Sequence, residues 1–514
     1  MTEWYQAKIL RLCELNNVEE REDIVVDIKI KFNSLNNSDR RQIARNLDYE
    51  PLFLQLPLTN ILDDYDRNVR IIEQIFDILD IMSSVLEGGE IYLKYPVEIL
   101  ALLNNSHHII RKRVIYELKS ASCHCQKRFQ LLDDTALLIS IINSIGDDDF
   151  AVADCAMSIV KKAGIAPNDS YLFKDEILRA FAKLLQKNDT ISFRVYEVIV
   201  FIAKVSRRNL EMWGQSGLLN GLINFLDNED ILLQLNALTV LSELTIFEEG
   251  LSYLEQQGVL NKLAQKIAQA NENPLSHLLI PGLMKFFGNI AHHWPNELFS
   301  KYPVVISALF EVFDRVVMEN EDVLKTALDT LGLVSASVEG KYALQALGDA
   351  MPSALKKIAE IVQRMPTSLR IHGLYCLALI LEVKSDEQDN RILSLTKLWF
   401  DSLCDDPLDM IVSICRQPFK DIKIAGLKVL MQISSQVWGQ EYISIHPGLV
   451  EFLLDRNIES FTECKRAKYE IVECLSQAEP NIFDWDTIRK FKQFVDEGPF
   501  FVNVNREVAI EGEE

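Results

Sequence analysis

Glycine and proline are scarce in this chain, at 20 and 15 of 514 residues, roughly half the usual share. So few turn-formers exclude a collagen-like chain and argue against an all-β one. They leave long helices with short connections. Long apolar runs are also missing. The most apolar stretch, Val195 to Lys204, is interrupted by Glu197 and falls short of the roughly 18–20 residues that span a bilayer. Positive charge is in deficit: 53 Lys and Arg stand against 75 Asp and Glu, a net charge of -22. Nucleic acid and anionic membrane surfaces both require a basic face, so neither is an expected partner. Nine cysteines are too few and too oddly numbered for a disulfide framework. Most lie within apolar helical patterns, as Cys376 does, which predicts reduced thiols in a cytoplasmic or nuclear protein. The opening residues, Met1 to Lys8, lack the basic and apolar regions of a signal peptide.

Reactive constellations are equally absent. No G-x-x-x-x-G-K-[ST] occurs; around Val338-Glu-Gly-Lys341 the upstream glycine is missing, so no phosphate cradle forms. H-E-x-x-H, G-x-G-x-x-G and G-x-S-x-G are also missing, and Gly214-Gln-Ser-Gly217 places its second glycine one position early. Cys123-His124-Cys125 is the one cluster of metal-type ligands. On a helix, residues two apart point about 200° from each other, so the pair is poorly placed to share an ion. His107-His108 lies one helix upstream, and His292-His293 reads as a helix end. Arg111-Lys-Arg113 is too small a basic cluster for nucleic acid, while Asp147-Asp-Asp149 and Asp405-Asp406 read as helix caps in turns. The expectation is therefore a non-enzyme with no catalytic residues, no metal and no cofactor.

What the chain does contain is a repeat. Gly217 to Leu226 carries apolar residues at helical spacing, Asp227-Asn-Glu-Asp230 breaks it, Ile231 to Phe247 resumes it, and Glu249-Gly250 reads as a stop. The same order returns at Val304 to Val316, Asn320-Glu-Asp322, Val323 to Ser337 and Glu339-Gly340. The second helix repeats a small residue, an apolar one, and another apolar one three further on. Instances are Cys155-Ala156-Ile159, Ala237-Leu238-Leu241, Gly282-Leu283-Phe286, Ala327-Leu328-Leu331, Gly373-Leu374-Leu377 and Gly426-Leu427-Leu430, with weaker forms near Val69, Val114, Val195 and Tyr469. A spacing of roughly 40–50 residues is that of HEAT and armadillo arrays. The small residue lets helices packed at about 8–10 Å approach closely.

The fold expected is thus all-α: a HEAT/armadillo-like helical-repeat superhelix, an α-solenoid of about ten repeats. Residues 1–60 read as an N-terminal helical cap, 61–497 as the repeat array and 498–514 as an extended or flexible tail. Such arrays bind proteins along a groove lined by the second helices. Positions just before the small residue are mostly polar: Asp154, Asn236, Thr326 and His372. Positions two after it are Met157, Thr239, Asp329, Tyr375 and Lys428. Arg370 and Tyr375 are the strongest single candidates, since hot spots favour Arg and aromatic residues.

Several strings go further. Leu328-Asp-Thr-Leu-Gly-Leu-Val-Ser-Ala-Ser-Val-Glu-Gly-Lys-Tyr-Ala-Leu344, Ile424-Ala-Gly-Leu-Lys-Val-Leu430, Trp438 with His446-Pro-Gly-Leu-Val-Glu-Phe-Leu-Leu-Asp455, and the end Glu497-Gly-Pro-Phe-Phe-Val502 with Glu511-Gly-Glu-Glu514 resemble a proteasome base assembly chaperone family, that of 26S proteasome non-ATPase regulatory subunit 5. The resemblance runs over most of the chain and is weakest before about residue 60. It implies a chaperone for assembly of the 26S regulatory-particle base, monomeric when free. It implies partners too: the C-terminal domain of one AAA-ATPase subunit, regulatory particle triple-A protein 1, with a neighbouring ATPase and a large non-ATPase scaffold subunit. Binding there would hinder premature docking on the core particle. A nuclear-transport adaptor or a general complex scaffold is the alternative. Armadillo adaptors carry ladders of Trp-Asn pairs, and the six tryptophans here, Trp4, Trp213, Trp294, Trp399, Trp438 and Trp485, form none.

Overall fold

The computed structural model describes residues 1–56, 65–124, 134–165, 169–269, 276–315, 320–478 and 481–501. Among them, α-helices and short 3-10 turns supply all the regular elements. The fold is an all-α helical-repeat array of HEAT/armadillo type. The chain divides into two compact units, Met1–Gly250 and Leu251–Glu514.

In the first unit the long second helices are α1 (Val18–Asn33), α2 (Tyr65–Ser83), α3 (His108–Ser122), α4 (Phe150–Gly164), α5 (Asp189–Ala203) and α6 (Ile231–Ser242). In the second they are α7 (Ile280–His293), α8 (Glu321–Ser335), α9 (Thr367–Leu381), α10 (Lys420–Ser434) and α11 (Thr462–Leu475). Within the second unit each packs on the next, α7 to α8 and onward to α11, as rungs of a ladder. In the first unit α1 packs on α2, α3 on α4, α4 on α5 and α5 on α6. All ten sequence anchors fall on rungs. Cys155, Ala156, Ala237, Leu238, Ala327, Leu328, Leu374 and Leu427 are at most 3% exposed, and each fully buried leucine contributes about 1.5–3 kcal/mol.

The acidic breaks cap the rungs. Asp149, Asp230 and Asn320 sit at N-caps and accept from the amides of Ala151, Leu232 and Asp322, each at 2.8 Å, meeting donors a helix start leaves unpaired. Asp406 does the same at 3.1 Å for Asp409 in the helix Pro407–Cys415, which precedes α10. Small residues sit where rungs and their partner helices meet. A Cβ on Gly373 would come within 2.9 Å of Val362, and one on Gly426 within 3.0 Å of Ile414.

The glycines of the recurring Glu-Gly pair are not stops. Gly250 and Gly340 lie inside the short helices Glu248–Gln256 and Val338–Gln345 that follow α6 and α8. A Cβ on Gly250 would lie 2.0 Å from the Leu244 carbonyl oxygen, and one on Gly340 1.9 Å from that of Val334. Gly439, after α10, meets the Ile433 carbonyl oxygen at 2.0 Å. In all three the carbonyl belongs to the residue six positions earlier, so the chain makes the same tight elbow behind α6, α8 and α10. Gly217, Gly258 and Gly448 carry the left-handed backbone at the start of the helix that completes the repeat, with φ of 76°, 70° and 72°.

Candidate partner-binding face

In each unit the rungs bury two sides and leave a stripe of side chains open. Six of the eight expected groove residues stand on these two stripes as paired or single polar groups. On α4, Asp154 is exposed and pairs with Lys119 of α3 at 3.3 Å. On α6, Asn236 is exposed. In the second unit Asp329 of α8 meets His372 Nδ1 of α9 at 2.8 Å, and the Lys428 ammonium of α10 lies 4.7 Å from the centre of the Tyr375 ring.

Thr326 and Arg370 spend hydrogen bonds on backbone carbonyls. Thr326 Oγ1 donates to the Asp322 carbonyl at 2.9 Å. Arg370 Nε donates to the Val362 carbonyl at 2.7 Å and Nη2 reaches Gln417 Oε1 at 3.4 Å. Arg111 and Arg194 do similar work, tying rungs to the carbonyls of Asn105 and Ser106 and of Ile145 and Asp147. Met157, expected on the open stripe, is 6% exposed.

Among the clefts that the described residues form, one in each unit lies between three successive rungs. Between α4, α5 and α6 a cleft of about 370 Å³ centres on Phe201. Lys161 and Lys204 lie 5.3 and 5.4 Å from the ring centre and close the two acids of the rim, Glu197 at 2.5 Å and Glu243 at 2.6 Å. Between α9, α10 and α11 a cleft of about 560 Å³ has Ala378, Leu379, Leu427, Met431 and Ala467 as its apolar lining. Tyr375, Lys428, Glu382 and Glu470 form its polar rim. Sequence reasoning named Tyr375 and Lys428 but missed Leu379, Glu382 and Met431. The signal was available: Leu379 and Glu382 lie four and seven residues beyond Tyr375, on one face of a 3.6-residue helix.

The remaining motifs resolve into structure. Arg111 pairs with Asp147 through two contacts, 2.6 and 2.9 Å. Burial alone would raise the Asp147 carboxyl, but this guanidinium holds it below the usual carboxylate range. Arg113 pairs with Asp80 at 3.2 Å. His107 caps α3, its Nδ1 accepting from the Ile109 amide at 3.2 Å. Cys123 ends α3 and receives Lys162 Nζ at 3.0 Å, while Cys125 lies outside the described residues. His292 and His293 close α7. Trp213, Trp399 and Trp438 are at most 5% exposed, core residues rather than a recognition ladder.

Four charged side chains of the second unit, Lys341, Lys423, Glu459 and Lys468, are buried. Lys341, one residue after the elbow Gly340, donates to the Ser335 carbonyl and, at 3.2 Å, to that of Leu379. Gln440 occupies the same register after Gly439 and donates to the Ser434 carbonyl at 3.0 Å. Burial pushes the Lys341 amine down to about 8. Near α11, Glu459 is enclosed by Lys423 at 3.0 Å and Lys468 at 3.6 Å, with side-chain exposures of 1%, 7% and 2%. Burial holds Lys468 below its ordinary value, against the opposing pull of Glu459.

Comparison with known proteins places this arrangement. The chain is similar to the human 26S proteasome non-ATPase regulatory subunit 5, with 31% identity over 75% of this chain and 77% of that protein. The Bos taurus protein of that name is 28% identical over 98% of both chains, and the Drosophila melanogaster one 30% identical over 65% of both. The family model described as proteasome non-ATPase 26S subunit matches residues 1–514. With its rungs, elbows and open stripe all within that match, the chain belongs to the proteasome non-ATPase 26S subunit family.

Proposed function

We propose that the chain is a chaperone for assembly of the 26S regulatory-particle base. In this reading the open stripe of the rungs grips the C-terminal domain of an AAA-ATPase subunit, regulatory particle triple-A protein 1. A neighbouring ATPase and the large non-ATPase scaffold subunit share the intermediate. The bulk of the array then hinders premature docking on the core particle. Residues 1–60 act as an N-terminal cap of the array, and the protein works in the cytoplasm or nucleus.

The observation that carries the reading is the family match over residues 1–514 together with relatives named as a non-ATPase regulatory subunit. Two further features suit it. The chain contains no phosphate-binding loop of the Walker type, so nucleotide chemistry falls to the client. The stripe offers mixed polar and apolar side chains on rigid helices, which suits a partner that must later be released.

The test is direct binding between the purified chain and the isolated ATPase C-terminal domain, followed by calorimetry. Saturable one-to-one binding is expected, weakened at least tenfold by Tyr375→Ala with Lys428→Ala. Absence of binding by the wild-type chain, or its retention in mature 26S particles at one copy each, defeats the reading.

A further inference from the structure

The two clefts share a position on the rungs and differ in how their charges are closed. In the first unit each rim acid already has a lysine, at 2.5 and 2.6 Å. An incoming cation would have to displace Lys161 or Lys204, and an incoming anion would have to displace Glu197 or Glu243. In the second unit the rim holds two carboxylates, and no ion pair within 4.0 Å closes either among the described residues. Lys428, the one cation on that rim among the described residues, is turned onto the Tyr375 ring. Lys341 feels the charge of Glu382, but its amine is spent on the carbonyls of Ser335 and Leu379. Beneath the rim the lining is apolar, with Leu427 fully buried and Ala378 at 8% exposure.

We propose that the cleft between α9, α10 and α11 receives an apolar side chain of the partner together with an adjacent cationic one, the cation being held by Glu382 and Glu470. The identity of the partner rests on the assembly reading above; the chemistry of the cleft does not. An apolar floor rewards a buried hydrocarbon. Two unclosed carboxylates at the edge of a low-dielectric cleft reward a positive charge and repel a negative one. The net charge of -22 adds long-range attraction of the same sign. Arg or Lys one helical turn from Leu, Ile or Met on a partner helix meets both demands, because residues three or four apart share a face.

The experiment uses the full chain and two probes. One is the purified ATPase C-terminal domain. The other is a synthetic helical peptide in which a leucine is flanked at four-residue spacing by arginines, with a twin carrying glutamates instead. The variant is E382Q/E470Q, and a charge-matched control, E311Q/E360Q, lies on the helices Pro303–Asp314 and Ala350–Arg364 away from the stripe. The arginine peptide should bind at least tenfold tighter than its twin. E382Q/E470Q should erase that preference and weaken domain binding at least tenfold, while the control binds as wild type. Equal binding of the two peptides, preference for the glutamate twin, or an unaffected E382Q/E470Q variant overturns the proposal. A chain ending at Phe501 that binds the arginine peptide tenfold tighter would make residues 502–514 the occupant and overturn it too. If the wild-type chain ignores the domain but keeps the arginine preference, the assembly reading falls and the cleft chemistry stands. If wild type and E382Q/E470Q both bind the domain, equally tightly and without an arginine preference, the reverse holds.

Discussion

A lysine that spends its amine on two carbonyls inside a helical core pays a desolvation cost that pH exposes. Lys341 is 0% exposed, with its amine at about 8 against an ordinary 10.5. Below pH 8 it is protonated in both folded and unfolded chains, and the full cost of about 3 kcal/mol applies. Between about 8 and 10.5 the folded form has released its proton while the unfolded chain still binds it. Stability contributed by this group therefore rises with pH through that window. Urea unfolding of wild type and Lys341→Met at pH 7, 8.5 and 10 should show the difference moving in favour of wild type, and a flat difference would contradict the assignment. Glu459 makes the opposite case. Removing its charge strands Lys423 and Lys468, both nearly buried. Glu459→Gln should cost about 3–5 kcal/mol, whereas replacing all three residues with apolar ones of similar volume should cost far less, as judged by the same unfolding midpoints.

Each elbow behind a rung is set by one glycine whose Cβ has nowhere to go. Gly250→Ala, Gly340→Ala and Gly439→Ala should each cost about 2 kcal/mol or more, because the obstructing atom is a backbone carbonyl oxygen at 1.9–2.0 Å. A melting temperature unchanged in all three would mean the elbow relaxes. The rungs themselves were readable, since they carry an apolar seam at helical period and five of them, α1, α4, α5, α6 and α8, also an Asp or Asn cap. The elbow was legible only as a recurring Glu-Gly pair, and its reading as a stop was wrong because contact with a carbonyl six residues away is tertiary. Arg370 was singled out as an exposed hot spot for a similar reason: periodicity marks a face, but not the carbonyl of Val362 that accepts from the side chain. Glu382, at the C-cap of α9, lay beyond the anchor positions that guided the search.

At the scale of the whole chain, an excess of acids over bases makes association with a basic client sensitive to salt. Raising ionic strength from about 0.05 to 0.3 M shortens the screening length roughly from 14 to 6 Å. Affinity for the ATPase domain should fall severalfold across that range, chiefly through a slower association rate. Stopped-flow rates that do not change with salt would point to an uncharged contact instead. The nearest-neighbour packing of the rungs bears on synthesis as well. The partners Lys161 and Glu197, or Lys204 and Glu243, are 36 and 39 residues apart, and within each unit the rung pairs described above are neighbours in sequence. At roughly 5–20 residues per second, each new rung emerges about 2–9 s after the one it docks on. Each unit is thus laid down in the order it is translated, and the apolar seam left bare within it at any moment is about one rung wide.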